Sequence, residues 1–314
     1  MKIPASNPGP SLTVDLSGQA AGSTPPLVCC IIVNWNGWRD TVACLESLQK
    51  SSYQKLSVLV VDNGSRNDSV SRIREAHPWA EILETGANLG FAGGNNAGIR
   101  LALGRGAEYV WLLNNDTLVM PGTLSALVCT ASTDPRIGEV GSVLFYAHDP
   151  KSVQAWGGGH VNLWTGRSAH YLEPPAHGEP DYLTAASVLL PAKALLEVGL
   201  LDEGYFMYFE DTDLSYRIRA AGWKLAIAAD AVVLHKEGAS SGGKSPKFDF
   251  FLSASGTRFL RKYAPLWPVA LCIFVVDRAL KRAMTFQWKR AQAVLAGIGS
   301  TSQEVSDRAA GHRA

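Results

Sequence analysis

Cysteine, net charge and long apolar runs are all scarce in this 314-residue chain. Its five cysteines, two of them adjacent at Cys29 and Cys30 inside an apolar run, form no CxxC pair and no disulfide framework. Thiol-ligated zinc modules and disulfide-stapled scaffolds are thereby excluded, and a reducing cytoplasm fits. With 29 Lys and Arg against 28 Asp and Glu, the formal net charge of +1 gives no global reason to expect a nucleic-acid partner. Residues 1–26 are rich in Pro, Ser and Gly and lack the continuous apolar core of a secretory signal, so they read as a flexible leader. The apolar run LWPVALCIFVV near the C-terminus is shorter than the ~20 residues of a helical membrane span and holds Pro268, so it is not expected to cross a bilayer. Sequons begin at Asn63, Asn67 and Asn115, but a glycan on Asn115 would stand among the site residues identified below, and all three are read as unused.

A hydrophobic content of 46% with 18% charged residues suffices to bury one large core or two modest ones. From residue 27 the chain alternates between short apolar, β-branched runs and segments with helical spacing: LVCCIIVNWN, WRDTVACLESLQKS, KLSVLVVDNGS, SVSRIREAHP, AEILETG, FAGGNNAGIRLALGRG and YVWLLNND. Repeated βα units with fully apolar strands predict an α/β fold, a mostly parallel central sheet with helices on both faces. Ligands of such sheets sit beyond the carboxyl ends of the strands. That rule gathers Asn34, Asn36, Asp62, Asn63 and the NND of Asn114 to Asp116, each just after a strand. The first strand runs into NWNG rather than a GxGxxG turn, which argues against a dinucleotide-binding dehydrogenase.

Asp62, ending an apolar strand, can accept hydrogen bonds from a pyrimidine imide or a ribose hydroxyl, or can serve as a turn or cap residue; Asn34 and Asn36 are open to the same turn reading. NLGFAGGNN, with Asn88 and Gly90, offers either close backbone approach to a ligand at a helix start or tight strand-to-helix packing. FMYFEDTDLSYR crowds Glu210, Asp211 and Asp213 behind four aromatics. Neighbouring acids and apolar burial both raise a carboxyl's proton affinity and so strengthen a base, and Arg217 stands four residues beyond Asp213, in reach of it on a helix. A helix cap formed by Thr212 or Asp211 is the simpler account of part of this cluster. Between Trp156 and Ser187 lies a Gly- and Pro-rich stretch carrying Trp156, Trp164, Tyr171 and Tyr182, expected as a long loop whose aromatic faces suit sugar rings or ordinary packing.

In this order the motifs NWN, VVDNGS, NLGFAGGNN, LLNNDT and FMYFEDTDLSYR resemble the family 2 glycosyltransferases with the GT-A fold, and within them the rhamnosyltransferase-like members, over Pro26 to Gly243. The resemblance implies an inverting transferase that moves a sugar, rhamnose being one candidate, from a nucleoside-diphosphate donor, dTDP or UDP favoured, to a hydroxyl of a growing or lipid-linked glycan. It places base recognition at Asp62 and donor contacts at Asn34, Asn36, Asn63, Asn88, Gly90, Asn115 and Asp116. The general base falls on Asp211, with Glu210, Asp213 and Arg217 in support and Trp156 and Trp164 on the acceptor side. LNNDT stands at the family's DxD metal motif, so Asp116 is the expected ligand of Mg²⁺ or Mn²⁺, with His235 as a second. Asn114 replaces the first aspartate, which removes one charge from that motif. A nucleotidyltransferase, or a non-catalytic nucleotide-sugar or glycan-binding protein, is the alternative; the former lacks its basic, glycine-rich phosphate loop in NWNGWRD.

The expected domains are a leader at 1–26, the catalytic domain at 27–243, a helical region at 244–300 and a flexible tail at 301–314. Arg258 to Arg290 holds eight Lys or Arg residues against the single acid Asp277. One helical stripe there carries Val276, Ala279, Leu280 and Ala283, with Arg278, Lys281, Arg282, Lys289 and Arg290 largely elsewhere. This pattern favours a peripheral helix on the inner membrane surface, and a homodimer contact would produce it too.

Overall fold

The computed structural model describes residues 24–175, 179–236, 245–300 and 305. The expected leader, tail and boundary at 243/244 therefore lie almost wholly outside the described residues.

The first half follows the predicted rhythm: β1 (Val28–Asn34), α1 (Trp38–Leu48), β2 (Leu56–Asp62), α2 (Ser69–Ala76), β3 (Glu81–Glu84), α3 (Gly90–Gly104) and β4 (Tyr109–Leu113). β1 pairs in parallel with β2 and β4, and β3 extends the sheet beyond β2. Alternate residues of these strands feed two cores. Cys30, Ile32, Val60 and Trp111 pack with Cys44 and Leu45 of α1, while Ile31, Leu59 and Val61 pack with Ala92 and Ile99 of α3. Burial on both faces is why the strands read as continuous apolar runs.

The second half comprises β5 (Thr117–Val119), α4 (Thr123–Ser132), β6 (Ile137–Tyr146), β7 (Asp149–Trp156), β8 (Gly158–Asn162), β9 (Arg167–His170), β10 (Tyr182–Leu183), β11 (Ser187–Pro191), α5 (Ala192–Val198), α6 (Glu210–Ala220) and β12 (Lys224–His235). The central sheet runs β3-β2-β1-β4-β11-β6-β12-β5, with β7 beside β6. Parallel pairing holds through β3-β2-β1-β4 and returns between β6 and β12, but β11 enters antiparallel to both β4 and β6. A parallel neighbour needs a crossover segment, usually a helix, and no helix precedes β11 after β6 among the described residues. The stretch expected as a long loop instead holds β8, β9 and β10, a separate antiparallel sheet in the order β10-β8-β9. Strands of two to five residues are too short to show the alternation that marks a strand in sequence.

Three helices complete the described chain: α7 (Pro246–Tyr263), α8 (Trp267–Met284) and α9 (Trp288–Ile298). Ser245 caps α7, its hydroxyl accepting from the Phe248 N–H, with Pro246 at the first position. Phe259 and Phe251 of α7 pack on Phe209 and Phe206, with ring centroids 5.0 Å apart in each pair, so these helices share a core with the segment that leads into α6. Asp249, 1% exposed on α7, receives Arg282 at 3.0 Å and Arg290 at 2.5 Å. Those two arginines were expected on an outward, lipid-facing surface. They turn inward, because a buried carboxylate without a cation is costly. Among the described residues no helix is long and apolar enough to cross a membrane.

Candidate active site

The carboxyl ends of β1 and β2 meet in register, Asn34 beside Asp62. Asn34 is fully buried and acts as a clamp: its amide donates to Asp62 Oδ1 at 2.8 Å and to Ser65 Oγ at 3.1 Å, while its Oδ1 accepts from Thr41 Oγ1 at 2.9 Å. Asp62 Oδ2 accepts the Ser65 N–H at 3.0 Å. Each Asp62 oxygen thus holds one internal bond and keeps further acceptor capacity, so its turn role and a ligand role are compatible. Asn36 is a turn former, with φ of +57°, an Oδ1 that accepts from Arg66 N and a backbone N–H given to Ser65 Oγ.

Asn63 and Asn88 spend their amides on the chain itself. Asn63 Nδ2 donates to Gly90 O at 2.9 Å and Asn88 Oδ1 at 3.2 Å, its Oδ1 accepts from Leu89 N, and Asn88 Oδ1 also accepts from Gly90 N. The glycines of NLGFAGGNN serve packing. Gly90 has φ of +76° and a Cβ there would stand 2.4 Å from Phe206 O, while Gly94 packs on Asn63 and Val33. Phe91 N donates to that same Phe206 carbonyl at 2.7 Å. The start of α3, open in sequence to ligand approach or to packing, is engaged by the segment that leads into α6.

Beyond β4, Asn115 Nδ2 donates to Thr41 Oγ1 at 3.1 Å, which directs it at α1. Asp116 lies beside His235 because β5 and β12 pair antiparallel, Thr117 opposite His235. His235 Nε2 is 3.2 Å from Asp116 Oδ1, Asn114 Nδ2 approaches the same nitrogen at 3.4 Å, and His235 Nδ1 meets Gln154 Oε1 at 2.8 Å. With Nδ1 facing the Gln154 amide oxygen, the ring turns Nε2 toward a carboxylate oxygen. That donor pair suits a divalent cation between nitrogen and oxygen, and the amide behind the ring is the outer partner such a ligand needs. Asp116 and His235 therefore fit a divalent metal that takes its other ligands from elsewhere, for no group of three or more His, Cys, Asp or Glu able to hold an ion occurs among the described residues.

At α6 the backbone is strained before the helix begins. Tyr208 and Phe209 both adopt left-handed φ, +71° and +67°, a conformation costing roughly 1–3 kcal/mol each for such residues. The helix starts at Glu210 with Phe209 as N-cap and no side-chain cap, so neither Thr212 nor Asp211 caps it. The three acids then separate. Asp213 is wholly buried and binds Arg217 at 2.8 Å, as the spacing predicts, and also Lys262 at 2.6 Å and the Tyr263 hydroxyl at 2.9 Å. Glu210 is 5% exposed, its Oε2 has no hydrogen-bond partner among the described residues, and burial, reinforced by the charge of Asp211, holds it well above the usual carboxylate range. Asp211 alone is only half-buried. Its Oδ2 accepts from Ala185 N at 3.2 Å and its Oδ1 from Thr212 N at 2.6 Å and Thr212 Oγ1 at 3.1 Å. Burial raises its proton affinity, and these hydrogen bonds, with the charge of His170, act against that. Glu210, expected as a charged neighbour of Asp211, is thus itself shifted toward the protonated form by its burial.

The segment before β11 joins the two halves of the site. Ala185 N reaches Asp211 while Ala186 O accepts from Asn114 N at 2.9 Å. Trp156 N donates to Tyr171 O at 2.6 Å where the small sheet begins, whereas Trp164 is 53% exposed at the β8–β9 tip, a hairpin that rests on α8 through Gly166 against Phe274 and Arg167 paired with Asp277. Ser65, Gln154 and His170 were missed; Ser65 had a signal in its VVDNGS motif, whereas Gln154 and His170 join the site only through strand pairing.

Residues 29–170 match the sequence model of glycosyl transferase family 2. The chain is 32% identical over 222 residues to the N-acetylglucosaminyl-diphospho-decaprenol L-rhamnosyltransferase of Mycobacterium tuberculosis, covering 63% of this chain and 72% of that protein. It is 27% identical over 203 residues to a low-salt glycan biosynthesis hexosyltransferase of Haloferax volcanii, covering 60% of each. Among solved structures, a mannosyltransferase of Pyrobaculum calidifontis in complex with GDP-Man and Mn²⁺ superposes with a TM-score of 0.57 at 18% identity, covering 92% of this chain and 81% of that one, which places the fold in the GT-A class.

Proposed function

This chain belongs to glycosyl transferase family 2, and from that premise we propose that it is an inverting transferase moving a sugar from a nucleoside diphosphate to a hydroxyl of a lipid-linked or growing glycan. The observation that carries the reading is the fate of the three acids on α6: only Asp211 is not fully buried, and Ala185 and Ala186 tie it to the Asn114–Asp116 corner. Asp211 takes the proton of the acceptor hydroxyl as that oxygen forms its bond to the anomeric carbon, and the bond from that carbon to the donor's diphosphate breaks on the opposite face. Burial raises the proton affinity of Asp211 toward the working range of a general base. Asp62 receives the base or ribose through its spare acceptor capacity, held in place by Asn34 and Ser65. Asp116 and His235 would hold Mg²⁺ or Mn²⁺, with Gln154 fixing the imidazole. When bound, the ion supplies positive charge against the leaving diphosphate.

The mycobacterial relative's name favours rhamnose, hence a dTDP donor, and an acceptor carried on a lipid diphosphate. Thermal shift with dTDP-, UDP- and GDP-sugars with and without Mn²⁺ tests the donor, because a ligand of the native state raises its melting temperature. NMR of the product's anomeric proton tests the stereochemistry. A metal-dependent rise with one nucleotide class and an inverted product are expected; no rise with any donor, or a retained anomer, would refute the reading.

A further inference from the structure

α8 is apolar on both sides. Ala270 and Phe274 are buried on its inner side, yet Val269, Ile273, Val276, Leu280 and Met284, spaced four, three, four and four apart, stand 40–71% exposed on the other. Trp267, 42% exposed, stands at the first position of α8 but on the side away from the stripe, and Phe286 and Trp288, 81% and 59% exposed, follow the stripe at the turn into α9. A helix facing water carries polar residues there, and a contiguous exposed apolar face of this size marks an interaction surface.

The charges around it are of one sign. Arg282 and Arg290 are spent on Asp249, and Arg278 lies over the Phe274 ring. Arg261 stands exposed at one end of the stripe, beside Lys262, which is exposed but reaches back to Asp213, and Lys281 and Lys289 stand exposed at the other, while the region's single acid, Asp277, is held by Arg167 and Lys281. Arg261 also stacks on Trp267 at 5.6 Å and lines, with Arg258, Lys262 and Ser300, a cavity of about 730 Å³ whose one carboxylate among the described residues, Asp202, is bound by Arg258. The cavity touches α6 from the side of Asp213, through Lys262, and not from the side of Asp211.

We propose that the outer stripe of α8 and the start of α9 seat the protein on an anionic lipid bilayer, with the Arg258–Arg261–Lys262 cavity receiving a lipid phosphate. Apolar side chains enter the acyl boundary, Trp288 lies at headgroup level, and the flanking cations meet anionic lipid. A second copy of the chain fits less well. An antiparallel α8 pair sets Arg261 and Lys262 against Lys281 and Lys289, a parallel pair sets each against itself, and both bring like charges together. The inference extends the lipid-linked acceptor reading, but its observations are independent of the chemistry.

Flotation of the full-length protein with phosphatidylcholine vesicles, with and without phosphatidylglycerol and at low and high salt, tests it. The wild type should float with the anionic vesicles and be partly released by salt. The exposed double variant Val276→Glu/Leu280→Glu should stay in solution, and Arg261→Glu should partition more than about tenfold less. Turnover of a soluble acceptor should be unchanged in the double variant, so a failure of docking is read separately from a failure of the transferase. Undiminished flotation of the double variant would overturn the proposal, as would a wild type that ignores vesicles and forms a dimer dissolved by the same substitutions. Release by inorganic phosphate at matched ionic strength would overturn it too, assigning the cavity to a soluble anion.

Discussion

Within four positions of α6, one acid is shifted toward its protonated form by burial, one is paired with cations and one is left half-buried. Among the described residues Glu210 has no partner for its buried Oε2, Asp213 is enclosed by Arg217, Lys262 and two tyrosines, and Asp211 is only half-buried. If Glu210 carries no charge, removing its carboxyl leaves Asp211's surroundings electrically unchanged. The acidic limb of the kcat/KM profile of Glu210→Gln should therefore coincide with that of the wild type, and both should lie above the range of an exposed aspartate, because burial is what raises Asp211. A downward move of that limb in Glu210→Gln would show that its charge acts on the base. Asp213→Asn leaves two cations facing a neutral amide, and the loss should be about 3 kcal/mol of stability in a denaturant titration. An unchanged midpoint would mean that solvent already screens Lys262 and Arg217.

The helix α6 is also fastened from beneath. Glu139 of β6, 1% exposed, accepts from Ser215 Oγ at 2.7 Å, and that oxygen accepts from Leu183 N of β10 at 3.1 Å, so one chain of bonds joins β6, α6 and β10. Burial pushes Glu139 up to about 8 from an ordinary 4.5. The folded chain then holds a proton that the unfolded chain releases, so Glu139's contribution is fully present below about pH 4.5 and is lost as pH rises through 8. The melting temperature of the wild type should fall relative to that of Glu139→Gln across this window; parallel curves would place the proton elsewhere. Elements such as β1, β2 and β4 were legible in the sequence because burial on both faces leaves unbroken apolar runs. β8 to β10 were not, being too short to alternate, and the inward turn of Arg282 and Arg290 depends on a buried Asp249 that no helical stripe reveals.

Across the whole molecule, the order of motifs along the chain announced the family and the acids of the site, whereas the partnerships that set their roles arise only on folding. Asp116 and His235 come together because β5 lies against β12, and Gln154 reaches the imidazole from β7, which like β12 pairs with β6. The glycines of NLGFAGGNN looked equally suited to a ligand or to packing, and only the 2.4 Å approach of a Gly90 Cβ to Phe206 O decides for packing. Asp116→Ala should remove the Mn²⁺-dependent part of nucleotide-sugar binding in calorimetry while the fold, by circular dichroism, is retained; metal-dependent binding that persists would take Asp116 out of the metal site. The central claim is that Asp211 is the base of a sugar transfer, and it is met most directly by measuring turnover and donor affinity together for the wild type and Asp211→Asn. Turnover should fall by ~10²–10⁴-fold with donor affinity unchanged, whereas product formed by Asp211→Asn at the wild-type rate would contradict it.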